Sequence, residues 1–173
     1  GDSYFIGSMV FQNRDDGKAQ VVDGQQRLTT IFILLAVLVK VVKARDLSAA
    51  DEDFLSEHAI KNIRRTVKTA DSGTRQMAML QHADTSINDA YRAISQSKVP
   101  NADDAPNMVV NLAEAYSEMY ELLSKRVADI TVDQLTDLIQ FINTKLLCIH
   151  YVAEDTDTAL TIYARLNSSG KVL

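Results

Sequence analysis

The polar residues best suited to chemistry lie in one run, residues 22–30, which reads V-D-G-Q-Q-R-L-T-T. Five consecutive positions, Asp23 to Arg27, supply a carboxylate, a glycine, two amides and a guanidinium. A strand pattern precedes this run, and apolar residues at helical spacing follow it. We therefore expect a strand-to-helix turn, and a turn of this composition can hold a phosphate-bearing ligand.

Each residue type in the turn has a physical reason to serve phosphate chemistry. Gly24 frees the backbone for a sharp turn, and the first amides of the following helix have no internal partner and favour anions. Arg27 can donate two parallel hydrogen bonds to a phosphate. Gln25 and Gln26 add amides that donate or accept. Asp23 can ligate Mg²⁺ or orient a water.

A structural interpretation fits the same residues. Asp23 and Gln26 match a capping box, with Asp23 as the helix N-cap. Arg27 can also pair with Asp23 four positions earlier, which contributes about 0.3–0.5 kcal/mol at a surface. Local physics does not decide between these interpretations. Thr29 follows in the helix, and its residue type alone indicates little.

The sequence lacks the motifs of several other kinds of functional site. It contains no G-x-x-x-x-G-K-[ST] motif and no G-x-S-x-G motif, which excludes a P-loop and a nucleophile elbow. One cysteine and three scattered histidines do not have zinc-site spacing, so no protein metal site is predicted. His150 is expected to be a core histidine on a central strand.

The composition is that of an ordinary soluble protein, with 46% hydrophobic and 24% charged residues. The net charge of -5 opposes non-specific DNA binding, although one predicted helix face is basic through Lys61, Arg64, Arg65 and Lys68. The single cysteine, Cys148, suits a reducing, cytoplasmic setting. The apolar run 31–39 is shorter than the roughly 20 residues that a membrane span needs, and it is predicted to be a core helix.

The elements that must position the turn are a hairpin before it and helices after it. Strands are expected over 4–12 and 19–23, joined by a turn with an Asp-Gly pair. Further predicted elements are helices over 25–42, 48–68, 77–95, 109–127 and 131–142, a central strand over 146–152, and a helix over 159–166. This order predicts an α+β fold with a small sheet and a large, mostly helical insertion.

Three segments of the chain resemble one known family. The sequence V-V-D-G-Q-Q-R-L-T-T-I resembles the signature of the DGQQR family, the N-terminal domain of GmrSD-type modification-dependent restriction enzymes and related phage-defence proteins. Residues 4–10, Y-F-I-G-S-M-V, resemble the strand before that signature. Residues 157–173 resemble the closing block of the family, which ends in L-N-x-x-G-x-x-L. The family domain looks like the ParB/sulfiredoxin fold.

The resemblance implies that a nucleoside triphosphate with Mg²⁺ is bound and hydrolysed at residues 23–27, coupled to DNA restriction. The candidate catalytic residues are then Asp23, Gln25 and Arg27, and the candidate nucleotide-binding residues are 23–27 and Thr29. The implied partners are the nucleotide, a nuclease domain or subunit, and DNA through the full-length protein, with no membrane. Asn167 and Gly170 match family positions of unassigned role, and Asn167 is also suited to ending its helix. The alternative is a non-enzymatic interaction or DNA-binding module with a ParB-like fold.

Two departures from the family pattern matter. A segment of the type Q-R-x-Y-x-W usually comes first in the family, so residues 1–173 are expected to form one domain that is incomplete at its N-terminus. It would comprise hairpin, motif and core helix (1–45), helical insertion (46–144), and returning strand and helix (145–173). Ala164 replaces a common acidic residue, which argues against a catalytic carboxylate there. No nuclease activity is expected of this chain alone.

Overall fold

In a computed structural model, which describes residues 3–55 and 80–169, the chain begins with the predicted hairpin. Strands β1 (Tyr4–Asn13) and β2 (Ala19–Asp23) pair antiparallel. In the turn between them, Arg14 N donates to Lys18 O at 2.9 Å, and Gly17 has a φ of +74°. The Asp-Gly turn is therefore confirmed, because glycine adopts a positive φ without a Cβ clash.

A third strand, β3 (Leu146–Ala153), joins the sheet parallel to β1, and the strand order is β2-β1-β3. The prediction that β3 is central is wrong, because β1 takes that place. An apolar run on both faces does not reveal how many neighbours a strand has. The prediction of a core His150 is wrong for the same reason. His150 is exposed on the edge strand, and its ring lies edge-on to Phe11 with the centroids 4.7 Å apart.

Helix α5 (Thr156–Ser169) covers one face of this sheet. Val10, Ala153 and Ala159 are fully buried there, and partly buried side chains surround them, namely Val22, Tyr151, Ile162 and Leu166. The helix extends beyond the predicted 159–166 at both ends. At its start, Thr158 N donates to the Asp155 carboxylate at 2.7 Å, and this bond keeps the pKa of that carboxyl below its usual value.

The remaining helices form a second group. Their bounds are α1 (Gln25–Lys43), a segment that is helical over 49–55, α2 (Thr85–Ser95), α3 (Asn107–Val127) and α4 (Val132–Thr144). The predicted capping box of α4 is confirmed, since Gln134 N donates to Thr131 Oγ1 at 3.2 Å and Thr131 N donates to Gln134 Oε1 at 2.9 Å. Helix α2 begins later than predicted, after the cap at Asp84. Residues 56–79, which hold the predicted basic face, lie outside the described residues.

Helix α1 is the core helix that its composition predicts. Its buried residues are Phe32, Ile33, Val41, Val42 and all of 35–39, and they pack with apolar residues of α2, α3 and α4. By length and composition alone α1 is apolar enough to cross a membrane, but half of its most apolar window is buried within the protein. Such burial is also typical of a core helix.

Two compact units result, which together form an α+β fold. The sheet unit contains the described residues up to Leu28 and those from Thr144 onward, namely the three strands and α5. The helical unit contains the described residues from Thr29 to Asn143 and includes most of α1. The DGQQR turn therefore belongs to the sheet unit.

Two buried tyrosines of the helical unit differ in whether the hydroxyl group is hydrogen-bonded. Removal of each hydroxyl should therefore change stability differently. Burial, with Tyr120 nearby, raises the pKa of Tyr116 to about 12, and its hydroxyl has no hydrogen-bond partner among the described residues. The hydroxyl of Tyr91 bonds with Thr29. We expect Tyr116→Phe to leave the free energy of unfolding unchanged or raise it, and Tyr91→Phe to lower it by about 0.5–1.5 kcal/mol.

Urea unfolding of the two variants and the parent chain measures this difference. A Tyr116→Phe variant that loses more stability than Tyr91→Phe would contradict it.

Candidate functional site

The DGQQR turn is a sharp bend from strand to helix. β2 ends at Asp23, which pairs with Val10 of β1, and α1 begins at Gln25. Between them, Gly24 has a φ of +90°, and its carbonyl accepts from Leu28 N at 3.0 Å. Gly24 is therefore the N-cap. The alternative that placed Asp23 at the N-cap is wrong by one residue, because both residue types favour that position.

Close contact with β1 gives Gly24 a second reason to be glycine. A Cβ at this position would lie 2.8 Å from Met9 Cγ and 3.2 Å from Met9 Cβ. The positive φ and the lack of room beside Met9 thus both exclude a side chain at position 24. The start of α1 is consequently fixed against the centre of the sheet.

The guanidinium of Arg27 forms an ion pair within the turn. Its Nη2 donates to Asp23 Oδ2 at 3.0 Å, and the side chains of Arg27 and Asp23 are 38% and 29% exposed. The (i,i+4) pair expected in the structural interpretation is therefore present. Pairs with this exposure contribute about 0.2–1 kcal/mol. The pair also fixes the direction of the guanidinium, which is a requirement for binding a ligand at a defined position.

Sequence reasoning missed Gly7, which makes room for Arg27. Gly7 has a φ of +99°, and a Cβ there would lie 2.9 Å from Arg27 Nη1. The pairing of β1 with β3 shifts register in this region, between Phe5 and Ser8. Arg27 Nε is buried and has no hydrogen-bond partner among the described residues. An isolated glycine inside a strand pattern was the available signal, since it often marks a close approach of another group.

The two glutamines of the turn are exposed. Gln25 Nε2 donates to Val21 O at 3.1 Å, which holds the Gln25 side chain back along β2. Its Oε1 remains the end of the side chain that a ligand can approach. Gln25 and Gln26 therefore lie on the surface beside the Asp23–Arg27 pair.

The other predicted site residues are placed differently. Thr29 is half-buried, and its hydroxyl bonds with Tyr91 of the helical unit. Asn167 is exposed and lies inside α5, so the expectation that it ends this helix is wrong. Gly170 lies outside the described residues. The structure thus brings together the run from Asp23 to Arg27, with Gly7 and Met9 beneath it.

The arrangement can present hydrogen-bond donors to an anion. The Leu28-to-Gly24 bond closes the first helical turn, so the amides before Leu28 have no acceptor within the helix. A guanidinium has five donor hydrogens, and Asp23 uses one of them through Nη2. Within the part of the chain that the structure describes, no group of three or more His, Cys, Asp or Glu side chains could hold a metal ion.

These features define an α+β domain in which a carboxylate–guanidinium pair lies at a strand-to-helix turn. The family model for the N-terminal domain of GmrSD restriction endonucleases matches residues 1–173, and the chain belongs to that family. It is therefore an N-terminal domain of the restriction and phage-defence type, and the family resemblance is confirmed. No curated protein matches the chain.

The contact between Gly24 and Met9 predicts how alanine affects stability at two glycines of positive φ. In Gly17→Ala the added methyl group has no atom within 4 Å, so the variant should lose only the backbone strain energy of about 1–2 kcal/mol from its free energy of unfolding. Gly24→Ala has similar strain and also overlaps Met9, which adds about 1–3 kcal/mol. Thermal unfolding of both variants is the measurement. Equal losses would show that Met9 does not restrict position 24.

Proposed function

We propose that the DGQQR turn binds the phosphates of a nucleoside triphosphate with Mg²⁺, and that the domain hydrolyses this nucleotide in a modification-dependent restriction or phage-defence protein. The observation that carries the proposal is the fixed Arg27 guanidinium in the first turn of α1. Asp23 holds it from one side, and the absence of a side chain at Gly7 leaves room for it on the other. A preorganised donor at a helix N-terminus is suited to phosphate.

Charge balance assigns separate roles within the turn. The Asp23–Arg27 pair is neutral as a unit, so the helix amides and a bound cation must supply most of the attraction for a polyanion. Mg²⁺ prefers carboxylate oxygens and usually arrives with the phosphates. Asp23 Oδ2 faces Arg27, while Oδ1 is the oxygen through which Asp23 would ligate Mg²⁺ or orient the attacking water.

The amides of the turn would complete the pocket. Gln25 has its nitrogen bonded to Val21, so its side-chain oxygen would accept from the attacking water or from a ribose hydroxyl. Gln26, exposed beside it, would contact the nucleotide. Thr29 would help to position the first turns of α1 rather than contact the nucleotide directly, because its hydroxyl bonds with Tyr91.

The remaining proposals concern the full-length protein. DNA cleavage would belong to a nuclease domain or subunit that this domain controls, and DNA would be contacted through the whole assembly in the cytoplasm. The second candidate is a non-enzymatic interaction module, and the Asp23–Arg27 pair is the observation that favours it. In that case the pair only stabilises the turn, and the nucleotide has no effect.

The experiment is a titration of ATP, GTP, CTP and UTP, each with Mg²⁺, into the parent chain and Arg27→Ala, with the melting temperature as readout. We expect one nucleotide to stabilise the parent chain, by about 2.7 kcal/mol at one hundred times its Kd. Arg27→Ala should lose this stabilisation. The matched control is Arg92→Ala, which breaks the exposed Arg92–Asp89 pair of α2 and should retain it.

Phosphate release by the stabilising nucleotide then tests hydrolysis, and Asp23→Asn should abolish it. Stabilisation that survives in Arg27→Ala would contradict a site at the turn. Binding without phosphate release would leave a nucleotide-binding module and contradict the enzymatic part of the proposal.

A further inference from the structure

The two faces of the three-stranded sheet have different neighbours. Helix α5 packs on the face that holds Val10. Side chains alternate between the two faces along a strand, so Met9, next to Val10 in β1, points to the opposite face. A Cβ at Gly24 would lie 2.8 Å from Met9 Cγ. The DGQQR turn therefore lies over the face that α5 leaves free, which we call the motif face.

The strand register places His150 on the motif face as well. His150 pairs with Met9 in the parallel ladder between β3 and β1, and paired residues of neighbouring strands point to the same face. A contact with Phe11, two residues after Met9, supports this direction, since the two rings lie edge-on with their centroids 4.7 Å apart. Neighbouring strands are about 4.8 Å apart, so His150 lies one strand away from the residue on which Gly24 packs. An imidazole is thus positioned beside the DGQQR turn, within the same compact unit.

The surface around His150 is open and largely apolar. His150 and Cys148 are exposed, and Val152, which pairs with Phe11, is 46% exposed. These three residues of β3 alternate along the strand and so share the motif face. The contact with Phe11 orients the imidazole ring among these neighbours. Such a surface suits a nucleobase, because every base has a flat π-face that stacks on aromatic side chains.

We propose that His150 stacks against the base of the nucleotide whose phosphates bind at the DGQQR turn, and this inference rests on the proposed function. The phosphates lie at the first turn of α1, where the Arg27 guanidinium lies against Gly7. Gly7 and Met9 are two residues apart, so about 7 Å of β1 separates that guanidinium from the strand position beside His150. The ribose and the phosphate attached to it span this distance. The base then lies over β3, with Val152 as an apolar wall.

A stacking contact distinguishes nucleotides from inorganic phosphates rather than one base from another, because every base has a π-face. The test is therefore a comparison of ligands. Calorimetry measures the binding of ATP, GTP, CTP, UTP and inorganic triphosphate, each with Mg²⁺, to the parent chain and to His150→Ala. We expect the parent chain to bind at least one nucleotide more tightly than inorganic triphosphate. His150→Ala should weaken binding of that nucleotide about five- to fiftyfold and leave the affinity for inorganic triphosphate unchanged.

Two further variants isolate the contribution of the ring. His150→Phe keeps an aromatic ring without the two nitrogens, and it should retain most of the nucleotide affinity. Tyr163→Ala removes an exposed aromatic side chain from α5, the helix that covers the other face of the sheet, and it should bind like the parent chain. Circular dichroism checks that all variants are folded, which we expect because both positions are exposed.

Nucleotide affinity that is unchanged in His150→Ala and lost in Arg27→Ala would overturn this inference and leave the proposed function intact. Equal weakening of nucleotide and inorganic triphosphate in His150→Ala would also overturn it, because His150 would then act on the phosphates. A loss in His150→Phe as large as that in His150→Ala would assign a polar contact instead of stacking. If the parent chain binds none of these ligands, the proposed function itself is refuted, and the inference with it.

Discussion

The side chain of Arg27 occupies space that any side chain at position 7 would fill. This contact links the first turn of α1 to the middle strand of the sheet, since Gly7 lies in β1 and Arg27 Nη1 would be 2.9 Å from a Cβ there. Two residues further along β1, Met9 packs against Gly24 in the same way. Gly7 thus leaves room for the guanidinium, and Gly24 allows the start of α1 to lie close to β1.

The sheet is organised so that β1 cannot shift easily. Val10 is fully buried, and it pairs with Asp23 on one side and with Tyr151 on the other. Helix α5 covers this residue through Ala159. A slip of one residue would turn Val10 out of the small core, so burial specifies the register. The closing segment of the chain thus supports the turn by packing on β1, whatever the role of Asn167.

Local signals predicted most of the fold correctly. The Asp-Gly turn, the capping box at Thr131 and the helical spacing after Gln25 each contain their own physical cause within a few residues. The edge position of β3 and the exposure of His150 depend on which strands are neighbours, and a single apolar run does not contain that information. The role of Gly7 likewise depends on a contact with a residue twenty positions later.

The candidate site was predicted as a run of residues, but its geometry was not. The sequence left a phosphate-binding turn and a structural ion pair as alternatives, and the structure contains the ion pair in a turn that is also suited to anions. These alternatives are compatible, because a guanidinium held by Asp23 retains other donors. The chain belongs to the N-terminal domain family of GmrSD restriction endonucleases, and nucleotide hydrolysis at this turn is the activity that we propose for it.

The most direct measurement of the central claim is nucleotide binding by Gly7→Ala, by calorimetry with Mg²⁺, on protein confirmed as folded by circular dichroism. An added Cβ must displace the Arg27 guanidinium, so we predict that the variant remains folded and loses the affinity of the parent chain. Gly17→Ala, with an added methyl group in open space, should bind normally. A folded Gly7→Ala variant with the affinity of the parent chain would contradict the account, because the fixed guanidinium would then not be needed for binding.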